Sequence, residues 1–273
     1  MRFAVSRLHG GLQLEQAAAQ LAAVLGARLG VSIDVRVLDD YARLLDAVLD
    51  GEAEVAWLPP FTLARATTRG AEVAALCERK GRLVYRSALV VHVASPIRSV
   101  EDLRGARAAW TNASSAAGYV VPRAYLRERG VDPDELALEE LHGSNAAACG
   151  AVYGGDADVA ACYVSEAAAD DLAVAQQEIE ATLGPEMGRR LRPIGVTPPI
   201  PADGIVLAAS VPPAERIRAR AALLDLHAAP EGADALRALM QADRLVPVTD
   251  AVMRMFGRLS QLATGRDEDV TMG

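Results

Sequence analysis

The chain has 273 residues, half of them apolar, enough for a substantial core in one large or two ordinary domains. A net charge of -8, with a single lysine (Lys80) and arginines scattered along the chain, excludes the clustered basic surface that nucleic acids or anionic membranes select. Three widely spaced cysteines (Cys77, Cys149, Cys162) and four histidines without metal-ligand spacing exclude a disulfide framework and a zinc site, so no metal is expected.

Short apolar runs alternate with helical patterns from the start. Phe3-Ala-Val is followed by a helix over Leu12 to Leu29, a strand over Ile33 to Val37, a helix over Tyr41 to Leu49 and a strand at Val55-Ala-Trp57. This βαβαβ order implies a mostly parallel sheet, whose ligands bind outside the carboxyl ends of the strands. Trp57 and the loop from Ser6 to Gly11, which includes His9, fall at that edge. A uniformly apolar strand follows from Ser87 to Ala94, and the order then restarts through Val100 to Leu103, Ala106 to Trp110, a helix opening at Ser115, Leu138 to Leu141, a helix over Asn145 to Tyr153 and a strand over Ala157 to Ala161. Four prolines between Pro193 and Pro201 break the pattern, a strand resumes over Ile205 to Ala209, and the last third reads as helices over Pro213 to His227, Glu231 to Gln241 and Asp250 to Leu262, with a frayed tail from Thr264. The restart predicts two lobes, 1–88 with 206–273 and 92–202, joined by hinges near 88–92 and 202–206.

Trp110 to Pro122 runs from a strand through small polar residues into a helix, an arrangement that aims the amides of Ser115 to Gly118 and the helix dipole at whatever lies beyond the strand end. Ser114 and Ser115 could add hydroxyls, although Ser115 could equally be a plain N-cap. Glycines form neither a dinucleotide nor a P-loop pattern, and no nucleophile elbow is present, so no cofactor and no catalytic residue is expected.

In order and spacing, Val55-Ala-Trp57-Leu, Tyr85-Arg-Ser-Ala-Leu-Val-Val with Ser95-Pro96-Ile97 and Leu103-Arg-Gly105, Asn112 to Pro122, and Thr197-Pro-Pro-Ile-Pro-Ala-Asp203 resemble the phosphonate-binding (PhnD-like) branch of the type 2 periplasmic binding proteins. The resemblance implies an α/β, two-lobed type 2 periplasmic-binding-protein fold, each lobe a mostly parallel sheet flanked by helices, with two hinge strands. It also implies an ABC-transporter solute receptor, with a small-molecule ligand and a permease or signalling partner. Ligand contacts would come from Trp57, Tyr85, Ser114, Ser115, Ala116, Ala117, Asn145 and Asp203, the last receiving a ligand amino group in aminophosphonate binders. Ser6, Tyr163, Ser165 and Glu166 are further pocket-edge candidates.

Departures from the family pattern imply altered specificity. Ala116 and Ala117 stand where hydroxyl residues grip phosphonate oxygens, Asn145 replaces a histidine, and Ser165 replaces a glutamate that Glu166 follows one position late. Each named residue also has an ordinary reading: Trp57 in the core, Asn145 as a helix cap, Asp203 in a turn, Tyr41 in packing and His9 as a bystander. An enzyme on the same fold, of the menaquinone-route or thiamin-pyrimidine kind, is the alternative function, with Asp203, Glu166 and His9 as its only candidate acids or bases. No apolar stretch is long enough for a membrane span, and none precedes Phe3 as a signal segment would. The expected compartment is therefore the cytoplasm, or the periplasm if a leader was removed.

Overall fold

The computed structural model describes residues 1–9, 13–169 and 171–267, the side chains of His9 and residues 263–267 excepted. The expected loop at Gly10-Gly11, Leu12 and the end of the expected tail (268–273) lie outside the described residues. In chain order the first elements are β1 (Arg2–Ser6), α1 (Leu14–Leu29), β2 (Asp34–Leu38), α2 (Tyr41–Leu49), β3 (Val55–Leu58), α3 (Pro60–Thr67) and β4 (Glu72–Glu78). Then come β5 (Val84–His92), β6 (Arg107–Trp110), α4 (Val121–Glu128), β7 (Leu138–Leu141), α5 (Asn145–Gly154), β8 (Val159–Ser165), α6 (Leu172–Gly188), β9 (Leu191–Val196) and β10 (Ile200–Pro201). The chain closes with β11 (Gly204–Leu207), α7 (Pro213–Leu224), α8 (Pro230–Met240), β12 (Arg244–Val246) and α9 (Asp250–Asp267).

Two compact units result: Met1–Leu83 with Pro201–Gly273, and Val84–Ile200. The boundaries fall a few residues before the hinges expected near 88–92 and 202–206. β5 accounts for the first shift, because from Tyr85 onward it is already paired with β8.

The first unit is built on a sheet of order β12-β4-β11-β3-β1-β2. β1 pairs in parallel with β2 and β3, whereas β11 is antiparallel to β3 and β4, and β12 to β4. Sequence-local signals start and stop its helices. Asp40 caps α2 by accepting the Arg43 N–H at 2.8 Å, and Gly30 ends α1 at φ 69°, in the left-handed region open to glycine. The apolar stripe of α1 (Leu14, Ala18, Leu21, Leu25) packs with Phe3, Val5, Trp57, Ile205 and α8's Leu236 into one core.

The second unit has the order β10-β5-β8-β6-β7, with β9 also on β5. β6 is parallel to β7 and β8, while β5 is antiparallel to β8 and β9. Both sheets are therefore mixed, not mostly parallel, because β5, β9, β11 and β12 enter antiparallel. Apolar cover on both faces explains the unbroken apolar run of β5: Ala88 and Val90 join Cys162 and Ile179, while Leu89 and Val91 join Trp110 and Leu126.

Several elements differ from the sequence reading. α3, β4, α6 and β12 were not anticipated, so the last third is not all helix. The proline-rich stretch does not simply break the fold, since Pro193 sits inside β9, whose only named partner is β5, and an edge strand tolerates a missing N–H. The strand expected at Ala157 to Ala161 begins two residues later and runs to Ser165.

Candidate functional site

In the first unit β3 and β11 run side by side, placing Trp57 opposite Ile205 and bringing Asp203, just before β11, to the indole. Trp57 Nε1 donates to Asp203 Oδ2 at 2.5 Å. Arg79, immediately after β4, closes a fork on the same carboxylate, Nη1 to Oδ1 at 2.5 Å and Nη2 to Oδ2 at 2.9 Å. The guanidinium is anchored in turn by the Met240 carbonyl at the end of α8, which accepts from Nη2 at 2.6 Å and Nε at 3.2 Å. Asp203 is 8% exposed, so a charged partner is what its burial requires. Burial, with the Asp203 charge nearby, pushes the Tyr41 phenol well above its ordinary range, so Tyr41 stays a neutral donor beside the cluster. Ser6 is fully buried, its hydroxyl accepting the Leu8 N–H at 3.2 Å.

In the second unit the turn after β6 carries the small-residue segment. Ser115 is the N-cap of a π-helical turn, Ala116–Val120, that leads into α4, its hydroxyl accepting the Gly118 N–H at 3.0 Å. The Ser115 N–H donates to the Asn112 carbonyl and the Ser114 N–H to the Asn112 side chain. Four free amides from Ser115 to Gly118 were expected. The outer two are used internally, and the Ala116 and Ala117 N–H groups have no acceptor among the described residues. The Thr111 hydroxyl, against Gly118, is buried and has no hydrogen-bond partner among the described residues.

Tyr85 and Tyr163, on adjacent strands β5 and β8, stack at 5.2 Å between ring centroids, 31° apart. Tyr163 is substantially exposed, as a pocket-edge residue would be. Glu166 is held by a two-pronged bond from Arg86, Nε to Oε2 at 2.9 Å and Nη2 to Oε1 at 3.0 Å, and Arg86 Nη1 reaches the Thr197 carbonyl at 2.7 Å. Ser165 gives its hydroxyl to Glu178 at 2.5 Å. Asn145 does not cap α5: Ser144 does, accepting the Ala147 N–H at 3.1 Å, which leaves Asn145 in the first turn with a buried Oδ1 that has no partner among the described residues. Among the described residues no group of three or more His, Cys, Asp or Glu side chains is placed to hold a metal ion, and no helix is long and apolar enough to cross a membrane.

The structure thus gathers the candidates into two sets, Trp57 with Asp203 in the first unit, and Tyr85, Tyr163 and the Ser114 to Ala117 turn among the second unit's residues. Arg79 and Arg86 were missed. Their signal was an arginine flanking or opening an apolar strand, too common a pattern to single out. Tyr41 was assigned to packing.

The family described as "ABC transporter, phosphonate, periplasmic substrate-binding protein" matches residues 11–253. Among solved structures, XAC2383 from Xanthomonas citri bound to chloride ion is similar at 21% identity and a TM-score of 0.83, covering 98% of each chain. The same protein bound to ATP is similar at 22% identity and a TM-score of 0.80, covering 97% of each. PhnD1 from Prochlorococcus marinus in complex with methylphosphonate is similar at 14% identity and a TM-score of 0.75, covering 97% of this chain and 98% of that one.

Proposed function

Because the chain belongs to the phosphonate family of periplasmic substrate-binding proteins of ABC transporters, we propose that it binds a small anionic or polar solute, with altered specificity, and passes it or its signal to a permease or a signalling partner. The observation that carries this reading is the pair of amides at Ala116 and Ala117, at the start of a helix and with no acceptor among the described residues. Such donors, with the helix dipole behind them, suit an oxyanion. Tyr85, Ser114, Ser115 and Asn145, all of the second unit, supply the rest of the site there, Trp57 and Asp203 are the ligand-contact candidates within the first unit, and the family's compartment, the periplasm, is the one we assign.

Altered specificity follows from the side chains. Ala116 and Ala117 offer no hydroxyls, and each missing donor to a charged oxygen forfeits about 1.5–3 kcal/mol. Alkylphosphonates should therefore bind more weakly than micromolar. Of the candidate acids, Glu166 is clamped by Arg86 and Asp203 by Arg79, so neither is held as a poised general acid or base, which favours binding over the enzyme alternative.

Calorimetry with inorganic phosphate, methylphosphonate, 2-aminoethylphosphonate and ATP tests the proposal on wild type and Ala116→Pro. Ala116 is the first helical residue and Ser115 before it is extended (φ -78°, ψ 118°), so proline fits the backbone there and removes one donor. At least one anion should bind, and the variant should bind it about tenfold or more weakly, a loss of about 1–3 kcal/mol. Equal affinity in a folded variant, or no binding by any of the four, would overturn the proposal, and submicromolar alkylphosphonate binding would remove the altered specificity.

A further inference from the structure

The geometry points to Arg79 as a specificity-determining residue of the first unit that closes the Asp203 position to cationic groups, so that the solute places no ammonium there. This rests on the reading of Trp57 and Asp203 as part of the solute site. Both carboxylate oxygens of Asp203 are engaged inside the first unit: Oδ1 accepts from Arg79 Nη1 at 2.5 Å, and Oδ2 accepts from Arg79 Nη2 at 2.9 Å and Trp57 Nε1 at 2.5 Å. A two-pronged guanidinium–carboxylate pair is the strongest arrangement these groups offer.

The guanidinium is also fixed from behind. The Met240 carbonyl holds Nε and Nη2, and the main chain follows suit, with the Cys77 N–H donating to the Asp203 carbonyl at 2.9 Å. Turning Arg79 away to admit a ligand ammonium would break bonds to two acceptors and leave a buried carboxylate dependent on the newcomer. An ammonium entering with Arg79 in place would meet a like charge against an already neutralised carboxylate, a repulsive element that discriminates against cationic groups. A second consequence concerns Trp57: its ring, packed in the first unit's core, is pinned through Nε1. The aspartate is thus a positioning residue for Trp57 and Arg79, and not the amine acceptor that the family resemblance implies.

The test compares ethylphosphonate with 2-aminoethylphosphonate by calorimetry on wild type, Arg79→Met and Arg79→Lys, and adds a ligand-free arm in which melting temperature is followed in ethylammonium chloride against equal sodium chloride. Wild type should bind the amino compound no better than ethylphosphonate. Arg79→Met should shift the ratio at least tenfold towards the amine, whereas Arg79→Lys, which keeps the charge, should leave it as in wild type. Ethylammonium should raise the melting temperature of Arg79→Met by several degrees and leave wild type unchanged. A tenfold preference of wild type for the amine, an unshifted ratio in Arg79→Met, or equal ethylammonium responses would overturn the inference. Should neither phosphonate bind, the solute-site reading fails, and the ethylammonium comparison still decides the role of Arg79. If Arg79→Met does not fold, Asp203→Asn replaces it: its amine-to-ethyl ratio and its ethylammonium response should both match wild type, and a tenfold loss of preference for the amine, or an ethylammonium stabilisation present in wild type and lost in the variant, would contradict the inference.

Discussion

Gly118 sits against Thr111 so closely that a β-carbon added there would lie 2.0 Å from the Thr111 hydroxyl and 2.5 Å from its methyl. The residue is glycine for approach, not for a special backbone angle, and it lets the Thr111 side chain tuck against the turn that carries the Ala116 and Ala117 amides. Gly118→Ala should therefore cost about 1–3 kcal/mol of stability by overpacking, measured by urea unfolding, and should weaken anion binding further by displacing the turn. A neutral substitution would mean that Thr111 swings aside freely. Residue types of this kind were legible in the sequence: small residues between a strand and a helix mark a turn that a ligand or a backbone approaches. What each polar group does was not legible, because hydrogen-bond partners come from distant segments. Asn145, a ligand-contact candidate, had a helix cap as its ordinary alternative, yet Ser144 holds that role, and Asp203 gave no sign of Arg79, 124 positions away.

At the scale of elements, β1, α1, β2, α2 and β3 were readable because their apolar spacing matches one period each. β4 was not: its buried residues Val73 to Cys77 form a short alanine-rich run with no alternation, since it lies between two strands with both faces covered. β9 was hidden by Pro193, acceptable only because the strand has a free edge. Ion pairs tie other strands at their starts. Asp158, just before β8, accepts from the Arg107 main chain at 2.8 Å and from its side chain at 3.1 and 2.9 Å, and this holds its carboxyl below the usual carboxylate range. A depressed native pKa contributes stability that is complete above the ordinary value, about 4, and is lost as pH falls through the native one. Unfolding free energy should accordingly drop below about pH 4, and Asp158→Asn should be less stable than wild type at pH 7, with the gap narrowing as the pH is lowered. A gap that is constant with pH would show that the carboxylate's charge adds nothing.

Across the whole molecule, two restarts of the same strand–helix order foretold two units, and the family match covers residues 11–253 of both. The sheets' mixed direction was invisible locally, because strand direction is fixed by partners rather than by composition. The solute itself is not written in composition, and its proposed choice rests on the two alanines and on the Arg79–Asp203 pair. The central claim is that the solute's oxyanion docks on the Ala116 and Ala117 amides. Proton–nitrogen correlation spectra of the labelled protein, titrated with inorganic phosphate, methylphosphonate and ATP, read those amides individually. The account predicts that the tightest-binding of these anions shifts the Ala116 and Ala117 N–H protons downfield more than any other amides of the second unit. Saturating binding that leaves both resonances in place, with the largest changes elsewhere in that unit, would contradict it.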